Sequence, residues 1–153
     1  MTSNRIVSKS SVESIEGYQF PGGIYTIEHW ENFLMTECTG SQLMQNGVVH
    51  PVALFHVPII GSGTSIAEMF ALGKAESDLS ISIESYDWEI HHPLKEDVAY
   101  RVNGSVVSAE RRQNEHGHDY DRIQFRFEMV EPDGELAART TIIWHYARSG
   151  RIE

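Results

Sequence analysis

The second half of the chain alternates apolar and polar residues with a period of two, which is typical of β-strands with one buried face. Three successive runs show it, and their apolar members are Val98, Tyr100, Val102 and Val106; Ile123, Phe125, Phe127 and Met129; Ile142, Trp144 and Tyr146. The turn sequence Pro132-Asp133-Gly134 separates the last two runs. Because each run is half polar, we expect hairpin-connected strands in an antiparallel sheet with one solvated face.

An earlier run, residues 79–90, is also strand-like but changes phase. Leu79, Ile81 and Ile83 share one face, whereas Tyr86 and the apolar residues after it fall on the other phase. A change of phase inside one strand indicates an inserted residue, so we expect a bulge or bend near Ser85.

The segment before this strand, residues 50–72, has an apolar helical pattern with several interruptions. Pro51 suits the first position of a helix, because proline has no N–H to leave unsatisfied there. Pro58 and the pair Gly61 and Gly63 make one straight helix through the segment improbable. We therefore expect a central kinked helix, or two helical pieces, wrapped by the sheet.

The first third of the chain predicts a short strand followed by a helix. Residues 25–27 are strand-like, and residues 28–39 place Ile27, Trp30, Phe33, Leu34 and Cys38 at helical spacing. Gly40 is a suitable stop for this helix. Residues 1–17 lack sustained periodicity, so we expect a flexible N-terminal arm there, with a short edge strand as the alternative, and a single domain over residues 18–153.

Bulk properties limit the classes of function. The formal net charge of −10 argues against a nucleic-acid partner, which requires a basic footprint. No apolar run approaches the length of a membrane span, and no signal peptide is visible, so we expect neither a membrane partner nor export. The single cysteine, Cys38, excludes an intrachain disulfide and fits a cytoplasmic protein.

An early helix followed by a meander of long strands is the order of elements in a hotdog fold, and several segments resemble the MaoC-like dehydratase/hydratase family. The matching segments are residues 25–27 leading into the first helix, His50-Pro51 opening the central helix, and residues 91–97 before the next long strand. The resemblance implies an α+β hotdog fold, with an antiparallel sheet wrapped around a central kinked helix. It also implies pairing into a homodimer, or a hetero-oligomer with another hotdog subunit, with active sites at the subunit boundary.

The same resemblance implies a chemistry, the reversible hydration of a trans-2-enoyl thioester carried by coenzyme A or a carrier protein, without a cofactor. In the family an Asp and a His on the loop after the first helix activate water, and backbone N–H groups near the central helix bind the thioester oxygen. Here Ser41 stands where the Asp is expected, and no His follows at the family spacing. Three functions stay open: a hydratase or dehydratase, a non-catalytic subunit that completes a partner's site, and a small-molecule-binding or cyclase-like domain.

Because the loop after the first helix lacks the family's Asp and His, other residues become the candidates for the site. His50 is the predicted acid/base, with helix capping as its alternative role, and Glu37 is a second acid/base candidate. The predicted substrate-binding residues are Ser41, Gln42, Asn46, Val52, Ala53, Gly61, Ser62 and Gly63. The histidines at 91–92 and 116–118 lack the converging ligand set that a metal needs, so no metal site is expected.

Overall fold

A computed structural model describes residues 7–149 of the chain. The helices are α1 (Lys9–Glu13), α2 (His29–Cys38), α3 (Val57–Gly61) and α4 (Ile66–Leu72), with 3-10 helices at Gln45–Gly47, Pro51–Phe55 and Asp78–Ser80. The strands are β1 (Gly23–Thr26), β2 (Ile81–Ile90), β3 (Ala99–Gln113), β4 (Asp119–Val130) and β5 (Leu136–Ala147). Among the helices of this described part, none is long and apolar enough to cross a membrane.

The five strands form one antiparallel sheet in the order β1-β3-β4-β5-β2. The predicted alternation is confirmed, since the apolar phase of β4 and β5 is buried and the polar phase faces outward. The predicted bulge is also confirmed, because the register between β2 and β5 shifts between Ile83 and Ser85. The strand starts at Ile81, and Leu79 lies before it in an exposed 3-10 turn.

The central segment is broken into three pieces on the inner face of this sheet, as the prolines and glycines predict. The 3-10 helix Pro51–Phe55, α3 and α4 follow one another, and Pro58 lies in the first turn of α3. Gly61 permits its contact with the sheet, because a Cβ there would lie 2.8 Å from Val102 Cγ2. A Cβ on Gly23 of β1 would lie 2.6 Å from the Gly61 carbonyl oxygen. Two glycines therefore set the distance between α3 and the sheet.

Helix α2 exposes most of the apolar residues that recur at helical spacing in its sequence. Trp30, Phe33 and Leu34 are exposed, whereas the buried residues of the helix are Asn32 and Thr36. The predicted helix is confirmed. Its buried polar face hydrogen-bonds to the following loop through Asn32, and Met35 packs against the apolar core.

Part of the predicted flexible arm is folded, which corrects that prediction for residues 7–17. Ser8 caps α1 by accepting a hydrogen bond from the Ser11 N–H, and Val12 is buried in the core. The Gly17 N–H donates to the Val106 carbonyl at 2.9 Å, so the chain runs along β3 as an edge segment. Residues 1–6 lie outside the described residues.

A buried charged triad holds one end of the fold. The Asp121 carboxylate is fully buried between two arginines, and it accepts from Arg111 Nε and Arg148 Nε at 2.6 Å each. Arg148 also donates to the Gly73 carbonyl after α4, and Arg111 donates to the Val7 carbonyl before α1. The triad thus joins β3, β4 and the chain after β5 to two helical segments.

We expect Asp121→Asn to destabilise the protein by about 3–5 kcal/mol, because it leaves two buried guanidinium groups without their anion. Urea unfolding followed by circular dichroism measures the change. The control is Glu89→Gln, which weakens an exposed ion pair with Arg139 at 3.4 Å and should cost less than about 1 kcal/mol. Equal midpoints for the two variants would contradict a structural role for the triad.

Candidate functional site

The loop after α2 places the predicted polar residues at the surface. Gly40 ends the helix with a φ of 71°, and Asn46 and Gly47 form a turn with φ values of 61° and 69°. Ser41, Gln42 and Asn46 are exposed, and within residues 7–149 their side chains hydrogen-bond to no other residue. Glu37 is also exposed on α2, and its carboxylate pairs with no cation of the described part.

His50 caps the 3-10 helix that opens the central segment. Its Nδ1 accepts a hydrogen bond from the Val52 N–H at 3.0 Å, and its carbonyl accepts from the Ala53 N–H at 3.1 Å. In a neutral imidazole this contact places the proton on Nε2, because Nδ1 is the acceptor. The Val52 N–H is therefore engaged by the predicted acid/base, and the Ala53 N–H is engaged by the carbonyl of the same residue.

Asn32 holds this region together, although no motif in the sequence points to it. Its side chain is 1% exposed, and its Nδ2 donates to the Val48 carbonyl at 3.2 Å and to Glu96 Oε1 at 2.8 Å. Its Oδ1 accepts from the His50 N–H at 3.2 Å. The Asn32 amide, with a smaller contribution from His29, lowers the pKa of Glu96. One buried amide thus positions the loop, His50 and the turn before β3.

The predicted small-residue site is part of the packing. Gly61 and Ser62 are buried, and the Ser62 hydroxyl donates to the Ile59 carbonyl at 2.9 Å. Gly63 has a φ of 80°, with Pro21 beside it. These three residues support the close approach of α3 to the sheet.

An apolar cavity of about 230 Å³ lies next to His50. Almost all of its wall is carbon, and it is lined by Met44, Val48, Val49, Pro51, Leu54, Ile90, Pro93 and Leu94. An engineered cavity of about 150 Å³ with such a lining holds benzene, so this one has room for a short alkyl chain or a ring.

Across residues 7–149, the His, Cys, Asp and Glu side chains form no group of three that could hold a metal ion.

Comparison with solved structures identifies the architecture. The ChsH1–ChsH2 complex of Mycobacterium tuberculosis contains a chain that matches with a TM-score of 0.69 and 11% identity, over 92% of each chain. A chain of the HadBC (3R-hydroxyacyl-ACP dehydratase) complex of the same organism matches with a TM-score of 0.64 and 12% identity, over 86% of this chain and 96% of that one. The chain has an α+β hotdog fold.

A protein described as a MaoC-like dehydratase shares this hotdog architecture, with a TM-score of 0.65 and 12% identity, over 90% of this chain and 44% of that one. The resemblance to MaoC-like proteins is thereby confirmed in fold. No protein-family model matches the sequence, and no curated protein matches it.

We expect His50→Ala to lower stability by about 1 kcal/mol, because it removes the acceptor that satisfies the Val52 N–H. His50→Asn should restore most of this loss, since asparagine is among the best N-cap residues. Urea unfolding of the two variants tests the capping role of His50, and His56→Ala is the control for removal of an imidazole. If His50→Ala is as stable as the unaltered protein, the cap does not contribute to stability.

Proposed function

We propose that the chain is an acyl-thioester-binding hotdog subunit that lacks an acid/base dyad of its own and works beside a second hotdog subunit. The observation that carries this proposal is the mutual engagement of His50 Nδ1 and the Val52 N–H. Hydration needs a base with a free lone pair and donors that are free to meet an oxyanion. Here the best predicted base and its predicted donor satisfy each other.

The loop supports the same conclusion. Ser41 cannot replace a carboxylate as a base, since a hydroxyl is not ionised near neutral pH. Asn46, at the end of the family-like loop, has an amide that does not take up or release a proton.

A hydratase that uses His50 as its acid/base is the second candidate function. It requires the imidazole to leave the cap and Glu37 or another acid to approach it.

The apolar cavity supports binding of an acyl group. Its polar lining is nearly absent, so an alkyl chain entering it would leave no buried polar atom unpaired. Its volume of about 230 Å³ corresponds to roughly eight water-sized groups. This suits the acyl part of a thioester, with the polar carrier outside the cavity.

Strand β2 supports pairing with a second subunit. It lies at one end of the sheet, and its inner-face residues Ile83, Trp88 and Ile90 are 61%, 39% and 47% exposed. An unpaired strand with apolar side chains is a ready surface for another strand. HadBC and ChsH1–ChsH2 are complexes. We infer that a second hotdog subunit pairs through β2 and brings an acid/base dyad to the cavity, which Ile90 of β2 lines.

We expect the isolated chain to bind octanoyl-CoA and not to hydrate crotonyl-CoA or oct-2-enoyl-CoA. Calorimetry measures the binding, and loss of enoyl absorbance measures hydration. Leu54→Trp, which fills the cavity, should abolish binding, whereas Leu79→Trp, in the exposed turn before β2, is the matched control. Hydration that His50→Ala abolishes would establish the hydratase instead, and absence of octanoyl-CoA binding would refute the proposal.

We expect Ile83→Lys to prevent association through β2, because it places a charge in the apolar strip of the free edge. Sedimentation equilibrium measures the molar mass of the particles formed by the chain alone and by the chain mixed with a second hotdog protein that binds it. Thr141→Lys, on the outer face of the sheet, controls for the added charge. Unchanged association of Ile83→Lys would place the subunit contact elsewhere.

A further inference from the structure

A second cavity, of about 320 Å³, lies between the edge segment that follows α1 and the start of α4. It is lined by Tyr18, Phe20, Pro21, Gly63, Thr64, Glu68 and Leu72. It shares no lining residue with the apolar cavity beside His50, so the two are separate sites on the chain. Carbon and oxygen atoms both form its wall, which favours a ligand with an apolar part and a polar part.

The edge segment brings two aromatic rings to one side of this cavity. The Val106 N–H donates to the Tyr18 carbonyl at 2.9 Å, and the Phe20 N–H donates to the Gly104 carbonyl at 2.9 Å, so the segment lies against β3. Side chains two residues apart in an extended chain point the same way, which places both rings at the cavity. The rings meet edge to face, with centroids 5.3 Å apart and planes 78° apart. Phe20 is buried, whereas Tyr18 is 44% exposed.

The α4 side of the cavity carries a carboxylate with one free oxygen. The Thr64 hydroxyl, on a residue that is 8% exposed, donates to Glu68 Oε2 at 3.1 Å. Glu68 Oε1 accepts no hydrogen bond from residues 7–149, and the carboxylate forms no ion pair with a Lys, Arg or His of that range. An external cation could therefore pair with Oε1 while the bond from Thr64 stays intact.

The turn between α3 and α4 keeps the space between these two walls open. Gly63 has a φ of 80°, and a Cβ at this position would lie 3.2 Å from Pro21 Cβ. The Gly22 N–H donates to the Ser62 carbonyl at 2.8 Å, which fixes the edge segment against the turn. The absence of a side chain at Gly63 thus leaves room between Pro21 and α4.

Aromatic rings and an unpaired carboxylate together favour a cation. The face of an aromatic ring attracts a positive charge, and a carboxylate adds an ion pair. The formal net charge of −10 draws cations toward the chain and repels anions. A neutral apolar ligand would remove water from the Glu68 carboxylate without replacing its hydrogen bonds, which is costly.

We propose that this cavity binds a primary alkylammonium ion. The ammonium group pairs with Glu68 Oε1 beside the Tyr18 ring, and the alkyl stem lies against Phe20 and Leu72. The volume corresponds to roughly ten water-sized groups, which accommodates an ammonium group on a stem of about four or five carbon atoms. A free amine and the side chain of a lysine on another protein both present this group. The site goes beyond acyl-thioester binding and does not depend on it.

The test is a nuclear magnetic resonance titration of the full chain with n-butylammonium and with n-butanol, which has the same stem without the charge. The backbone amide signals of Thr64 and Glu68 report on binding at this cavity. The unaltered protein should bind n-butylammonium about threefold to thirtyfold more tightly than n-butanol, the range expected for one exposed ion pair with one cation–π contact. Equal affinities for the two compounds would overturn the proposal.

Two pairs of variants separate the contributions of the carboxylate and the ring. Glu68→Gln keeps the acceptor for Thr64 and should reduce the preference for n-butylammonium about twofold to fivefold, whereas Glu135→Gln, in the exposed turn before β5, should leave it unchanged. Tyr18→Leu should weaken n-butylammonium binding about twofold to fivefold, and Tyr18→Trp, which keeps an aromatic face, should retain it. A preference that persists undiminished in both Glu68→Gln and Tyr18→Leu would contradict the assigned contacts.

Two further probes distinguish the sources of the ion. Tighter binding of Nα-acetyl-lysine N-methylamide than of 1,5-diaminopentane assigns the site to a lysine of a protein partner, and the reverse order assigns it to a free amine. If none of these amines shifts the Thr64 and Glu68 signals, the site does not exist. Binding of octanoyl-CoA, which tests the proposed function, should be the same in Glu68→Gln as in the unaltered protein.

Discussion

The buried side chain of Asn32 is the contact on which the candidate site depends. It joins α2 to the Val48 carbonyl, the His50 N–H and the Glu96 carboxylate, so one amide fixes three separate segments. Each of these bonds replaces a bond to water, and a partner removed from such a buried set leaves the others unsatisfied. The position of His50 at the start of the central segment follows from this network.

The same network explains why α2 exposes its apolar side chains. A helix normally turns its apolar stripe toward the core, whereas Trp30 and Phe33 of α2 are exposed. Here the loop beneath α2 presents backbone carbonyl and N–H groups that need partners, and Asn32 supplies them. Periodicity in a sequence reports which residues share a face, and the chemistry of the neighbouring segment decides which face is buried.

Much of the fold was predictable because it rests on local signals. Alternation in β4 and β5, the phase change near Ser85 and the proline in α3 each act within a few residues. The site was less predictable, because its contacts join residues far apart in the chain. Asn32 hydrogen-bonds to Glu96 and to the His50 N–H, and no spacing in the sequence predicts either contact. His50 was found by its position before the central segment with capping as its alternative role, and the hydrogen bond from the Val52 N–H shows that it caps.

The bulge in β2 has an evolutionary consequence. Residues before it, such as Ile83, and residues after it, such as Tyr86, face the same side of the sheet because one of the residues between them is extra. Deleting the unpaired residue, Glu84, would leave a regular strand in which Ile83 and Tyr86 are two positions apart and still share the inner face. A single-codon deletion at the bulge would therefore straighten the strand without changing its inner face, whereas a deletion just after Tyr86 would turn Trp88 and Ile90 to the outer face. The bulge marks the one place in β2 where the length of the chain can change while the same side chains stay inside.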